Sequence, residues 1–151
     1  MRDTVLKNQT KKRALFVDLD GTIAEYIEGK QKHRKIQFRP YLKTFVKQLS
    51  KICNLYLYSF TKPTWLKSLW SKYFNEEFSD YFDIRYSFSY KKSLRAFRDL
   101  NIDILIIDDT PSIIHSDTTS FLIPIKRWQG EMDDCELLNV YSTIKARWAS
   151  F

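Results

Sequence analysis

Three short apolar runs divide the chain, and each ends on polar residues suited to chemistry. Ala14-Leu15-Phe16-Val17 ends on Asp18, Leu55-Tyr56-Leu57-Tyr58 ends on Ser59, and the run from Ile102 to Ile107 ends on Asp108 and Asp109. Runs of this length, rich in β-branched and aromatic residues, suit strands buried on both faces, as in a parallel sheet. Between them the apolar period lengthens to that of a helix. Leu42, Phe45, Val46 and Leu49 recur at i, i+3, i+4 and i+7 just after Pro40, and Leu66, Leu69, Trp70 and Tyr73 repeat the pattern after Pro63. A shorter helix is predicted over 93–100 and a last one over about 134–148, with Leu137, Tyr141, Ile144 and Trp148 on one face. Asp133 and Glu136 have the spacing of a capping box at its start. Alternating strands and helices predict an open α/β sheet with a Rossmann-like arrangement of helices around parallel strands. Ligands of such sheets sit beyond the carboxyl ends of the strands, where all three polar clusters fall.

Composition narrows the class. The 151 residues suit one domain, with a polar, basic tail over 1–13 and a folded domain over 14–151. No apolar run is long enough to span a bilayer, and the first residues lack the apolar core of a secretory signal. Cys53 and Cys135 are far apart and read as reduced thiols of an intracellular protein, nuclear or cytoplasmic. The net charge of +7 favours anionic partners. Much of it lies in Lys11-Lys12-Arg13 and in the run from Lys30 to Lys35, which read as solvated segments, as a nuclear-import signal or as an anion-gathering rim.

The string Phe16-Val17-Asp18-Leu19-Asp20-Gly21-Thr22 carries the chemistry. A turn at Gly21 lets a buried strand stop so that both carboxylates serve one site. Asp18 can then attack phosphorus in line to give a mixed anhydride, and Asp20 can protonate the leaving oxygen and later deprotonate water. An anionic nucleophile meeting an anionic phosphate needs charge compensation, which Mg²⁺ supplies through oxygen ligands. Asp108 and Asp109 are the further carboxylate source. Ser59 can hydrogen-bond a phosphoryl oxygen, and Lys91 or Lys92 can neutralise its charge. Alone, each piece has a plainer reading: a turn or calcium loop, a helix cap, a solvated lysine pair. Their order along the chain, each at a strand or helix boundary, favours the joint reading.

That ordered set resembles the haloacid-dehalogenase (HAD) superfamily and, within it, the FCP/SCP phosphatases, which act on the C-terminal domain of RNA polymerase II and related phosphoproteins. Asp18-Leu19-Asp20-Gly21-Thr22 resembles the first motif, and Arg39-Pro40 followed by Phe45 resembles the family's helix start. Tyr58-Ser59-Phe60-Thr61 resembles the second motif, with Ser59 for the usual threonine. Lys92-Ser93-Leu94, the strand ending in Asp108-Asp109 with Pro111 beyond, and the segments Phe121–Ile125 and Asp133–Leu137 resemble the remainder. The resemblance implies that Asp18 is nucleophile and metal ligand. It implies that Asp20 is acid/base and binds metal through its carbonyl, and that Asp109, with Asp108 beside it, completes a Mg²⁺ site. It also implies that Thr22, Ser59 and Lys92 bind the substrate phosphate, Lys92 being preferred to Lys91 by its spacing to Asp108.

Two departures shape the expected substrate. Gly21 stands where the family usually has Glu, and the gaps from Asp18 to Ser59 and from Ser59 to Lys92 leave room only for a minimal cap or insertion, of which 84–90 is the expected remnant. An open site favours a phosphorylated protein or peptide, so the leading expectation is a Ser/Thr phosphoprotein phosphatase. A HAD phosphatase of nucleotides or nucleic-acid ends is the second reading. A non-catalytic phosphopeptide adaptor is the third, disfavoured by the intact aspartates and lysine. Tyr26, Tyr86, Phe88 and Tyr90 read either as core or as the lining of a peptide groove.

Overall fold

The three apolar runs form neighbouring parallel strands in the computed structural model, which describes residues 12–28, 35–60, 63–74, 78, 80–87 and 102–149. The main sheet has five strands: β1 (Arg13–Val17), β4 (Asn54–Ser59), β5 (Phe82–Ser87), β6 (Asp103–Asp108) and β7 (Leu122–Pro124). Their spatial order is β5-β4-β1-β6-β7, all neighbours parallel, with β1 at the centre. A separate antiparallel hairpin, β2 (Ala24–Glu28) and β3 (Lys35–Phe38), fills the gap before α1 (Leu42–Leu49). Two further helices are α2 (Pro63–Leu69) and α3 (Glu136–Ala149). This is the open α/β parallel sheet that the alternation predicts, as the resemblance to the HAD superfamily also implies.

Strand alternation divides the core. Leu15 and Val17 of β1, with Leu55, Leu57, Leu105 and Ile107, face one side, where Leu42, Phe45, Val46 and Leu49 of α1 and Leu137, Val140, Ile144 and Trp148 of α3 cover them. Each of these side chains contributes about 1.5–3 kcal/mol on burial, so this face dominates the stability. Ala14, Phe16, Tyr56, Tyr58, Ile104 and Ile106 face the other side. There Phe16 stacks on Tyr56 with ring centroids 5.1 Å apart and meets Tyr58 edge-on at 5.4 Å.

Three details differ from the sequence reading. The expected insertion remnant is, over Phe82–Ser87, the edge strand of the main sheet, paired in parallel with β4. Its parallel pairing with β4, and not its residue pattern, places it in the main sheet. Secondly, α2 ends at Leu69 and continues as one wider π-helical turn, Trp70–Phe74. The wider turn buries Phe74, which packs with Phe78 against Phe38, each at 5.2 Å. Thirdly, the carboxylate that caps α3 is not the exposed Asp133 but Asp134, whose Oδ1 accepts the Glu136 N–H at 3.2 Å. The predicted helix over 93–100 lies outside the described residues.

Candidate active site

The sheet register alone sets the site's position. Val17 of β1 is level with Ile107 of β6 and with Leu57 of β4, so Asp18 and Asp108 leave their strands side by side. The Asp18 N–H still donates to the Ile107 carbonyl at 3.1 Å, and the Ile125 N–H donates to the Asp108 carbonyl at 3.1 Å. Ser59 ends β4 on the same rim, two residues past Leu57, and is buried.

Beyond Asp18 the chain closes one tight turn around a single acceptor. The N–H groups of Thr22, Ile23 and Ala24 all point to the Leu19 carbonyl, at 3.1–3.2 Å. Gly21 takes φ +74°, a left-handed conformation that disfavours any side chain. The turn brings Thr22 back over the strand end, where its hydroxyl donates to Asp18 Oδ2 at 2.8 Å and lies 3.4 Å from Asp109 Oδ1. Asp18 and Asp108 are buried, and Asp108 Oδ1 accepts the Thr110 N–H at 2.9 Å, which fixes the turn after β6.

Asp18, Asp108 and Asp109 each present an oxygen within 4.8 Å of the others. Three carboxylates at that spacing repel one another strongly unless a cation or a proton intervenes. An all-oxygen donor set of this kind suits a hard divalent ion such as Mg²⁺, so the residues present fit the expected metal. The side chain of Asp20 is not part of this trio and is half-buried at the turn, where Asp20 bridges to Ala24. Lys91 and Lys92 lie outside the described residues, as do the side chains of Tyr26, Tyr86, Phe88 and Tyr90.

Two arginines hold the site. Arg39, in the Arg-Pro pair read as a helix start, is a fully buried strut. Its guanidinium pairs with Asp134 through Nε to Oδ1 at 2.7 Å and Nη2 to Oδ2 at 2.9 Å. It also donates to the carbonyls of Thr22 at 3.0 Å and Lys126 at 2.8 Å. The Arg39 hydrogen bonds, opposed by burial, hold the Asp134 carboxyl below its ordinary range. The second is Arg127, whose Nη1 donates to Asp109 Oδ2 at 2.9 Å. Sequence reasoning missed both contacts. Arg127 lies 18 residues from its partner and belongs to no motif, whereas Arg39 was visible but its partners were not.

A parallel HAD-like sheet with an acidic trio around a strand-end aspartate defines the class: an α/β fold of the haloacid-dehalogenase type. Residues 13–150 match the family model described as NLI interacting factor-like phosphatase, and the chain belongs to that family. Its structural neighbours include fission yeast RNA polymerase II CTD phosphatase Fcp1 bound to beryllium fluoride. That likeness has a TM-score of 0.61 and 19% identity, covering 96% of this chain and 53% of that one. A second is a structure of Fcp1 described as an essential RNA polymerase II CTD phosphatase. It has a TM-score of 0.59 and 20% identity, covering 99% of this chain and 52% of that one. At such identities the likeness speaks for the fold, and this chain spans about half the length of either neighbour. No curated protein sequence gives a significant match. Among the described residues no helix is long and apolar enough to cross a membrane.

Proposed function

We propose that the chain is a Mg²⁺-dependent phosphatase of phosphoserine and phosphothreonine proteins, nuclear or cytoplasmic, working through an aspartyl phosphate on Asp18. The observation that carries this reading is the trio of Asp18, Asp108 and Asp109 within 4.8 Å, the first two buried, at the ends of β1 and β6, in a chain of a phosphatase family. Asp18 Oδ1 attacks phosphorus while Oδ2 is held by Thr22. The bond from phosphorus to the seryl or threonyl oxygen breaks, and Asp20 gives that oxygen its proton. Asp20 then takes a proton from water as the water attacks the phosphoenzyme, releasing phosphate and regenerating the Asp18 carboxylate. Ser59 and Lys92 bind the phosphoryl oxygens, and Lys92 offsets their charge. Asp18, Asp109 and the carbonyl of Asp20 would hold the ion, with Asp108 alongside. When bound, Mg²⁺ there offsets the negative charge shared by nucleophile and phosphate.

The substrate class follows from the short segments around the site. Among the described residues, the segment between β1 and α1 carries just the β2–β3 hairpin, which supports a site open to a protein-borne phosphate. Both neighbours described above are RNA polymerase II CTD phosphatases, which makes a phosphopeptide of that domain the first substrate to try.

The test is turnover of a phosphopeptide panel beside nucleotides and 3′- or 5′-phosphorylated oligonucleotides, for the native chain and for Asp18→Asn. Phosphopeptides should be preferred, and Asp18→Asn should be folded but inactive, because an amide cannot attack phosphorus. Preference for nucleotides or oligonucleotide ends would replace the substrate assignment. Turnover by folded Asp18→Asn would remove the mechanism.

A further inference from the structure

Gly21 and Arg127 fit together at the edge of the acidic trio; the left-handed turn accounts for the backbone of Gly21, and the steps above leave Arg127 without a role. Arg127 follows β7 and its side chain is half exposed, yet the Asp109 side chain that it holds is only 2% exposed. Nη1 of Arg127 takes Asp109 Oδ2 at 2.9 Å, which leaves Oδ1 turned toward the Thr22 hydroxyl at 3.4 Å. The second terminal nitrogen faces Glu25 of the hairpin at 3.4 Å, an exposed pairing that contributes little by itself.

The approach depends on a missing side chain. A Cβ at position 21 would sit 2.6 Å from Asp109 Oδ2, 2.9 Å from Arg127 Nη1 and 3.0 Å from Arg127 Cγ. All three contacts are shorter than or at the limit of what real side chains tolerate, so any residue but glycine displaces this pair. Gly21 therefore makes room for a guanidinium at the trio's edge.

We propose that Arg127 is a positioning residue for Asp109: it engages one carboxylate oxygen and so fixes which oxygen faces the cation site, in space that Gly21 leaves open. The proposal rests on the metal-dependent reading given above. Its physical basis is that Mg²⁺ demands near-ideal geometry and is ill served by a carboxylate free to rotate or to bind through both oxygens. Hydrogen-bond partners of ligating groups typically account for 10- to 100-fold in metal affinity. An opposing effect exists, because a guanidinium this close to a dication repels it. The two effects have opposite signs, which makes the proposal decidable.

The experiment is calorimetric titration of Mg²⁺ into the full chain, comparing the native protein with Arg127→Ala, Arg127→Lys, Gly21→Ala and the Gly21→Ala/Arg127→Ala double variant. Thermal unfolding in chelator accompanies each. Arg127→Ala should bind Mg²⁺ about 10- to 100-fold more weakly, with metal-free unfolding near the native value. Arg127→Lys should recover part of the loss, since it keeps the charge but not the planar fork. Gly21→Ala should weaken binding too, and in that background Arg127→Ala should cost less than it does alone. Unchanged or tighter binding by Arg127→Ala would overturn the proposal, as would a loss matched by collapse of the metal-free protein. Additive effects at 21 and 127 would overturn their coupling. A native chain that binds no Mg²⁺ would overturn the metal-dependent reading itself and this inference with it, an outcome distinct from an unaffected variant.

Discussion

The Thr22 hydroxyl donates to Asp18 Oδ2 at 2.8 Å, across a turn whose three amides converge on one carbonyl. One oxygen of the proposed nucleophile is thereby held, and in the proposed mechanism the other attacks phosphorus. Thr22 is itself fully buried, and its own carbonyl is held by Arg39. Thr22→Val keeps the approximate shape and removes the donor. A hydrogen bond to a charged group contributes about 1.5–3 kcal/mol, so turnover should fall roughly 10- to 100-fold. Thr22→Ser should restore most of it. Native turnover in Thr22→Val, measured on a phosphopeptide, would show that the bond does not orient Asp18.

The acidic trio makes a prediction about ions. Chelator should abolish phosphatase activity and Mg²⁺ should restore it. Ca²⁺ should restore it poorly, because it favours more ligands and looser geometry. Beryllium fluoride should inhibit by mimicking phosphorylated Asp18. Full activity in excess chelator would rule out the metal site as part of the reaction.

The side chain of Asp20 is not one of the three carboxylates of the trio, and the role proposed for it is proton transfer. Asp20→Asn should remove general acid and general base together. An aryl phosphate needs little protonation of its leaving group, so the first step should be partly rescued and phosphorylated Asp18 should accumulate. Lys92→Ala should slow good and poor leaving groups alike, because the charge it offsets is present in both. Single-turnover kinetics on an aryl phosphate and a phosphoserine peptide, with trapping of the phosphoenzyme, separates the two. Equal slowing of both substrates by Asp20→Asn, with no trapped intermediate, would contradict the acid/base role.

Arg39 and Asp134 should govern acid stability. The Asp134 carboxyl is held below its ordinary value mainly by its hydrogen bonds from Arg39. A depressed folded-state pKa stabilises the fold above the unfolded value, near 3.9, and that contribution is lost as pH falls through the lower, folded one. Asp134→Ala leaves the buried guanidinium with only carbonyl partners and should cost about 3–5 kcal/mol near neutral pH. Urea unfolding from pH 6 to pH 2.5 should show the native chain approaching Asp134→Asn as acid removes the pair. Parallel pH profiles for the two would show that the pair contributes nothing to folding.

Much of the candidate site was legible along the chain. A parallel strand buried on both faces must be apolar throughout, so its end is marked where the first acids appear. Asp18, Ser59 and Asp108 each stand at such an end, and the register then aligns Asp18 with Asp108. Phe82–Ser87 was harder to place. An edge strand alternates apolar and polar residues much as an inserted hairpin does, and only its pairing with β4 distinguishes the two.

Residue pattern by itself determined the three central strands, the helices after Pro40 and Pro63 and at the C-terminal end, and the two aspartates of the Asp18–Thr22 turn, because periodicity and local turn chemistry act over a few neighbours. The pairing of Arg127 with Asp109, the buried grip of Arg39 on Asp134 and the carbonyls of Thr22 and Lys126, and the hydroxyl of Thr22 on Asp18 were decided by the tertiary structure. The arginine contacts join residues from 17 to 95 positions apart, and the Thr22 contact depends on how tightly one turn closes. Neither kind of information is carried by local sequence spacing. It comes from which strand ends the sheet brings level and from the space that one absent side chain, at Gly21, leaves between them.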